Sequence, residues 1–179
     1  MENDRYTYSD YASWDDEKRC ELIDGVIFLM SPEPTPEHQR VVGSLFFQLH
    51  LFLRGKPCEA FIAPLDVRLN AASGDDTVVQ PDILIVCDKA KIEGKSCKGV
   101  PDMVVEVLSP STLSRDRVLK FNKYLQAGVR EYWIVDPDGK KVAVNILKNG
   151  EYVNKAYGEE ETVPVNVLEG CRIDLREVF

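Results

Sequence analysis

Two apolar runs in the middle of the chain each carry one carboxylate whose position could support catalysis. Asp82 is the second residue of the run at residues 81–86, and Glu106 lies inside the run at residues 103–108. A carboxylate in a buried strand costs free energy unless a positive group meets it. Two of them about one strand pair apart suggest a shared cation. Hard cations such as Mg²⁺ bind carboxylates, waters and phosphate oxygens, so metal-assisted phosphodiester hydrolysis is the first hypothesis.

Each carboxylate has an ordinary structural alternative, namely pairing with a lysine or arginine or capping a loop. Pro81 cannot donate a hydrogen bond to a strand ladder, so a strand should start there and leave Asp82 near the sheet edge, open to a cleft. Glu106 lies in a run that is apolar on both faces, as interior strands of α/β sheets are. It therefore needs a cleft or a cationic partner.

The composition indicates an ordinary globular protein. The chain has 179 residues, of which 44% are hydrophobic and 29% charged, so we expect a single domain spanning residues 1–179. The apolar stretches are too short for a membrane span, and the polar N-terminus lacks a signal-peptide pattern, so a cytoplasmic location is expected. The net charge of −8 counts against coating of nucleic acid through overall charge.

Five cysteines lie at positions 20, 58, 87, 97 and 171, and no Cys-x-x-Cys occurs. The odd count and the absence of this motif indicate neither a disulfide framework nor a zinc ribbon. Buried thiols are the expectation.

Hydrophobic periodicity predicts an α/β fold. Helices are predicted at residues 7 to about 17, 36–54 and 113–127. Strands are predicted at 61–69, 78–86, 104–108 and 131–135, with a hairpin at 21–30, a meander to about 157 and a strand-like or irregular tail from 162. Residues 89–99 are predicted to form a surface loop. This order favours a central mixed sheet flanked by helices.

The two carboxylate runs resemble the PD-(D/E)XK nuclease superfamily. Pro81-Asp82 matches the first half of its signature and Glu106-Val107-Leu108 the second, with Leu108 where lysine is usual. A closer resemblance, over nearly the whole chain, is to the bacterial Uma-two-type family of proposed endonucleases. The matching segments are residues 6–8, 21–25, 31–32 with His38, 80–82, 101–112, 115–117 with Lys120 and Tyr124, and 128–137.

The resemblance implies a restriction-endonuclease-like fold with additional antiparallel hairpins, and an enzyme that cleaves DNA with Mg²⁺ or Mn²⁺. It implies a metal site of Asp82, Glu106 and the backbone carbonyl of Val107, with Lys120 replacing the missing strand lysine. Glu21 and His38 match family positions and could add a ligand or a proton-transfer group. Weaker candidates for contacts with nucleic acid are Arg115, Arg117 and Lys123.

Lys120 also has a simpler interpretation. On a helical wheel, Val118, Phe121 and Leu125 form the predicted apolar stripe, and Lys120 lies roughly 120° from its centre. Its spacing from Asp116 is that of a surface ion pair. A solvated Lys120 therefore stays open.

Two other functions stay open at this point. Leu108 in place of lysine and the acidic net charge are compatible with a catalytically degenerate nuclease fold that binds nucleic acid or protein. The late strands could also pair across a two-fold axis and protect their edges in a homodimer.

Overall fold

The computed structural model describes residues 5–14, 19–30, 34–109 and 115–179. Within these ranges the helices are α1 (Tyr8–Ser13), α2 (Pro36–Leu53) and α3 (Arg115–Ala127), with 3₁₀ turns at Lys89–Lys91 and Leu175–Glu177. The strands are β1 (Cys20–Ile23), β2 (Val26–Leu29), β3 (Glu59–Ile62), β4 (Asp66–Arg68), β5 (Val78–Val79), β6 (Ile83–Val86), β7 (Ile92–Glu93), β8 (Ser96–Lys98), β9 (Met103–Val107), β10 (Glu131–Asp136), β11 (Lys141–Lys148), β12 (Glu151–Gly158), β13 (Thr162–Pro164) and β14 (Arg172–Asp174). Among the described helices, none is long and apolar enough to cross a membrane.

The described strands form two six-stranded sheets and a two-stranded ribbon. The central sheet has the order β12-β11-β10-β9-β6-β3, and the outer sheet has the order β2-β1-β5-β4-β8-β7. The pairs β9–β10 and β4–β8 are parallel and the other pairs are antiparallel, so both sheets are mixed. The predicted α/β class with a mixed sheet and added hairpins is confirmed. Strand β12 lies at an edge of the central sheet, and dimerisation through it stays a prediction.

The central sheet is covered on both faces because successive side chains of a strand point in opposite directions. Val105 of β9 packs against α2 and the C-terminal ribbon, in a cluster that includes Leu45 and Ile173. Val104 packs on the other face, in a cluster that includes Tyr124 of α3 and Val67 of the outer sheet. Helix α3 and the outer sheet therefore lie on the same side of the central sheet.

Helix α2 and the β1–β2 hairpin follow the sequence signals closely. Thr35 caps α2 by accepting a hydrogen bond from the backbone N–H of His38 over 3.2 Å, and Pro36 occupies the first turn. The hairpin turns at Asp24 and Gly25, with φ of 52° and 76°. These are the positive values that a tight two-residue turn requires. The capped α2 fixes the position of His38, and the hairpin fixes that of β1.

Two predicted strands are each divided between the sheets. The prediction of one strand at 61–69 is wrong, since β3 belongs to the central sheet and β4 to the outer sheet. The prediction of one strand at 78–86 is wrong in the same way for β5 and β6. Pro64 and Pro81 lie at the two breaks, where each lacks the N–H that a continuous ladder would need. Residues 80–82 thus cross from one sheet to the other.

The boundaries of other elements also differ from expectation. Residues 89–99 are not simply a loop, because β7 and β8 form a hairpin that extends the outer sheet. Helix α1 ends at Ser13, and the predicted continuation at 15–17 lies outside the described residues. The predicted start of the third helix at 113–114 also lies outside them.

The cysteine prediction is wrong for one pair. Cys58 and Cys87 form a disulfide between the start of β3 and the end of β6. The antiparallel register pairs Glu59 with Val86, so the two cysteines follow as the next opposed positions. Cys97 and Cys171 are buried thiols as expected, and burial raises the pKa of each to about 11.

Glu131, the first residue of β10, ties the C-terminal segment to the central sheet. Its side chain is buried and accepts hydrogen bonds from Trp133 Nε1 and the backbone N–H of Val167, both over 2.8 Å. Asn166 Nδ2 donates to the same carboxylate over 3.3 Å. Burial raises the pKa of Glu131, and these donors lower it in part.

We expect Glu131→Ala to lower the free energy of unfolding by about 3 kcal/mol, because the N–H groups of Trp133 and Val167 lose this acceptor. Urea denaturation followed by circular dichroism measures the change. Glu151→Ala, at the exposed start of β12, is the control and should change stability by less than about 0.5 kcal/mol. Equal effects of the two variants would show that the Glu131 hydrogen bonds do not stabilise the fold.

Candidate active site

The register of two central strands brings Asp82 and Glu106 together. Strands β6 and β9 are antiparallel, with Ile83 opposite Val105. Asp82 directly precedes Ile83 and Glu106 directly follows Val105, so the two residues lie beside each other where this pairing ends. The backbone N–H of Val107 donates to Asp82 Oδ2 over 2.8 Å. The residues predicted to bind a metal are thus adjacent at the end of β9.

His38 reaches the same strand end from the first turn of α2. Its Nε2 lies 3.0 Å from the carbonyl oxygen of Val107 and 3.4 Å from Asp82 Oδ2. Because a carbonyl oxygen can only accept, Nε2 carries the proton in this contact. The hydrogen bond with Asp82 raises the pKa of His38, although burial opposes the shift. Its Nδ1 is buried and has no hydrogen-bond partner among the described residues.

Lys120 faces inward from α3 and is only 8% exposed. Its Nζ lies 2.8 Å from Glu21 Oε1 and 3.0 Å from Glu106 Oε1. The interpretation of Lys120 as a solvated surface residue is therefore wrong. The helical wheel gives the wrong buried face because it places Val118 in the apolar stripe, whereas Val118 is 64% exposed. The side chain of Asp116 lies outside the described residues.

Tyr124 is a site residue to which the sequence reasoning assigned no role. It lies one turn after Lys120 on α3, is fully buried, and donates from its hydroxyl to Glu106 Oε1 over 2.7 Å. Burial, followed by the nearby charge of Glu106, raises its pKa well above the usual value. Tyr124 follows Lys120 by four residues, and residues at this spacing lie on one helix face. This spacing was the sequence signal that could have placed Tyr124 beside Lys120.

Glu21 is held by both the helix and the crossover between the sheets. Besides Lys120 Nζ, its Oε1 accepts the backbone N–H of Gln80 over 2.8 Å. The Gln80 side chain donates to Asp66 Oδ1 over 2.8 Å and accepts from Arg19 Nη2 over 2.9 Å. The crossover at residues 80–82 is therefore anchored at both its backbone and its side chain.

The charges of the cluster strongly favour a protonated Lys120. Burial alone would lower the pKa of Lys120, but the carboxylates of Glu106 and Glu21 raise it well above the ordinary value. Burial raises the pKa of Glu106 to about 7, against the influence of Lys120, and the charges of Asp82 and Glu21 add to the increase. Lys120 is thus a fixed cation among acidic groups and cannot serve as a base at neutral pH.

Comparison with known proteins identifies the family of the chain. The model of the Uma2 family, described as "Putative restriction endonuclease", matches residues 8–176. The chain belongs to the Uma2 family. The uncharacterized protein slr1290 of Synechocystis sp. is 30% identical over 117 residues, which is 64% of this chain and 60% of that protein. The chain therefore matches less than two thirds of that relative's length.

A solved structure shares the fold of this Uma2 chain. The crystal structure of a putative nuclease belonging to DUF820 from Anabaena variabilis has a TM-score of 0.77 and 21% sequence identity. The similarity covers 97% of both chains. The two proteins therefore have the same fold along nearly their whole lengths.

The donor set at the end of β9 fits a hard divalent cation. In the described part of the Uma2 chain, no group of three or more His, Cys, Asp or Glu side chains forms a metal-binding cluster. The predicted site needs no such cluster, because it consists of Asp82, Glu106 and a backbone carbonyl, and Mg²⁺ usually keeps several waters. All three protein donors are oxygens, the ligands that Mg²⁺ and Mn²⁺ favour.

The residues predicted to contact nucleic acid either pair with groups outside this cluster or have side chains outside the described residues. Lys123 Nζ pairs with Asp24 Oδ2 over 2.7 Å and also donates to Gln126. The side chains of Arg115 and Arg117 lie outside the described residues. Contacts of these three residues with nucleic acid stay predictions. Leu108, which the resemblance aligns with a lysine, is buried, and its backbone N–H donates to the Val135 carbonyl over 2.8 Å.

We expect Lys120→Met to lower the free energy of unfolding by about 3–5 kcal/mol in the presence of EDTA, because Glu21 and Glu106 would be left buried without their cation. Lys123→Met is the matched control on the same helix. Its partner Asp24 has a side chain that is 50% exposed, so the loss should be within about 1 kcal/mol. Urea denaturation compares them, and equal losses would contradict the assignment of Lys120 to a buried ion cluster.

Proposed function

We propose that this protein is a metal-dependent endonuclease that hydrolyses phosphodiester bonds in DNA, with its active site at Asp82, Glu106 and Lys120. The observation that supports this most strongly is the position of Lys120 Nζ, 3.0 Å from Glu106 Oε1. A lysine from α3 thereby provides the positive charge that Leu108 cannot provide from the strand.

Asp82, Glu106 and the carbonyl of Val107 would hold Mg²⁺ or Mn²⁺. A divalent cation there supplies positive charge for the phosphate oxygens and lowers the pKa of water. The chain itself positions these donors, because the Val107 N–H orients Asp82 and the β6–β9 pairing ends beside Asp82 and Glu106.

Lys120 would stabilise the negative charge that develops on the phosphate during hydrolysis. A fixed cation in a buried site has a larger effect than one in water and needs no reorganisation during the reaction. Glu21 would hold the ammonium group in place through its 2.8 Å contact. This second contact matters because the long side chain of a lysine on a neighbouring helix is not held in position by the sheet that carries Glu106.

His38 would orient the Val107 carbonyl and transfer protons at the edge of the site. The support is its Nε2, which contacts both the Val107 carbonyl and Asp82. A cavity of about 300 Å³ lies beside it, lined by residues that include Arg40, Leu108 and Asp138. We place the approach of the DNA backbone on this side.

The proposal also covers the extent of the domain, its location and its association. Residues 1–179 would act as one nuclease domain in the cytoplasm, and two copies would associate through the edge strand β12.

Asp82→Asn and Glu106→Gln should each abolish cleavage of supercoiled plasmid and circular single-stranded DNA in Mg²⁺ or Mn²⁺. Both variants keep an oxygen that can accept the local hydrogen bonds, so the fold should be retained. EDTA should abolish wild-type cleavage. Gel electrophoresis of the DNA measures the reaction, and circular dichroism verifies the fold.

Asp102→Asn is the matched control. Asp102 also follows a proline and precedes a strand, but its carboxylate accepts the Cys87 N–H and pairs with Arg130. This variant should cleave at about the wild-type rate. Cleavage by folded Asp82→Asn or Glu106→Gln at the wild-type rate would show that the assigned site is wrong.

A catalytically degenerate nuclease fold that binds nucleic acid or protein is the second candidate. One observation favours it: Glu21, Lys120, Glu106 and Tyr124 satisfy one another through hydrogen bonds and ion pairs. This candidate predicts binding of labelled DNA in EDTA, measured by fluorescence anisotropy, with no cleavage by folded wild-type protein in either metal.

A further inference from the structure

Two donors from α3 meet the same oxygen of Glu106. Lys120 Nζ lies 3.0 Å and the Tyr124 hydroxyl 2.7 Å from Glu106 Oε1. A carboxylate is planar, so an Oε1 fixed toward α3 leaves Oε2 directed away from the helix. Since Asp82 and Glu106 lie beside each other where the β6–β9 pairing ends, this orientation determines which oxygen is presented toward Asp82.

The two donors differ in how firmly they can impose this orientation. Lys120 has a flexible side chain, and its ammonium group is shared with Glu21 at 2.8 Å. Tyr124 has a rigid ring that is fully buried and packs against Tyr132 with ring centroids 4.9 Å apart. Its hydroxyl therefore constrains Oε1 independently of the ammonium group that Glu106 shares with Glu21.

We propose that Tyr124 is a positioning residue that holds Glu106 Oε1 against α3 and so presents Oε2 of Glu106 to the divalent cation. This inference rests on the proposed function, because it assumes that Glu106 is a metal ligand. It goes further by assigning a separate role to the hydroxyl of Tyr124. A phenylalanine ring at position 124 would fill the same space in the core without this hydroxyl.

The test measures Mn²⁺ affinity by isothermal titration calorimetry on the full chain, freed of metal and without nucleic acid. We expect Tyr124→Phe to weaken Mn²⁺ binding by about 10- to 100-fold, the usual effect of removing a partner that orients a metal ligand. Tyr152→Phe is the matched control. Tyr152 belongs to the same aromatic cluster, and its hydroxyl donates to the Val129 carbonyl over 2.9 Å, away from Glu106. This control should leave the affinity within about 3-fold of wild type.

The outcomes separate this inference from the proposed function. Wild-type binding of Mn²⁺ that is lost in Glu106→Gln, together with unchanged affinity in Tyr124→Phe, would overturn only the role of Tyr124. Absence of Mn²⁺ binding by folded wild-type protein would overturn the proposed function itself. Failure of Tyr124→Phe to fold where Tyr152→Phe folds would also overturn the inference, because the hydroxyl would then be needed for the fold.

Discussion

The site depends on a buried ammonium group shared by two carboxylates. Lys120 of α3 lies between Glu21 of the outer sheet and Glu106 of the central sheet, so one ion cluster joins three elements. Separating buried charges from their partners costs several kcal/mol, and the cluster therefore fixes how α3 lies over the central sheet. Glu21 gives the ammonium group a second anchor besides Glu106.

The crossover between the two sheets connects this cluster to the predicted metal ligands. Within residues 80–82, the backbone N–H of Gln80 binds Glu21, and Asp82 accepts the N–H of Val107. A displacement of the crossover would therefore alter both the lysine anchor and the predicted metal ligands. Periodicity could not reveal this crossover, because two short apolar runs separated by Pro81 look like one longer strand. The same limitation concealed the break at Pro64.

The sequence was most informative where the chemistry is local. The Asp24-Gly25 turn and the start of α2 at Pro36 were readable because each depends on a few neighbouring residues, and the family resemblance identified the residues that meet at the site. The inward orientation of Lys120 was not readable, because a helical wheel assumes that the buried face is apolar, whereas α3 turns a lysine and a tyrosine inward. The Cys58–Cys87 disulfide was missed because it depends on the register of two strands.

The most direct test of this account is an anomalous difference map from crystals of the wild-type protein soaked in Mn²⁺. We expect a single strong peak coordinated by Asp82, Glu106 and the carbonyl oxygen of Val107, with Lys120 Nζ still in contact with Glu21. A peak bound elsewhere on the chain, or no peak while Lys120 and Tyr124 keep their contacts with Glu106, would contradict it.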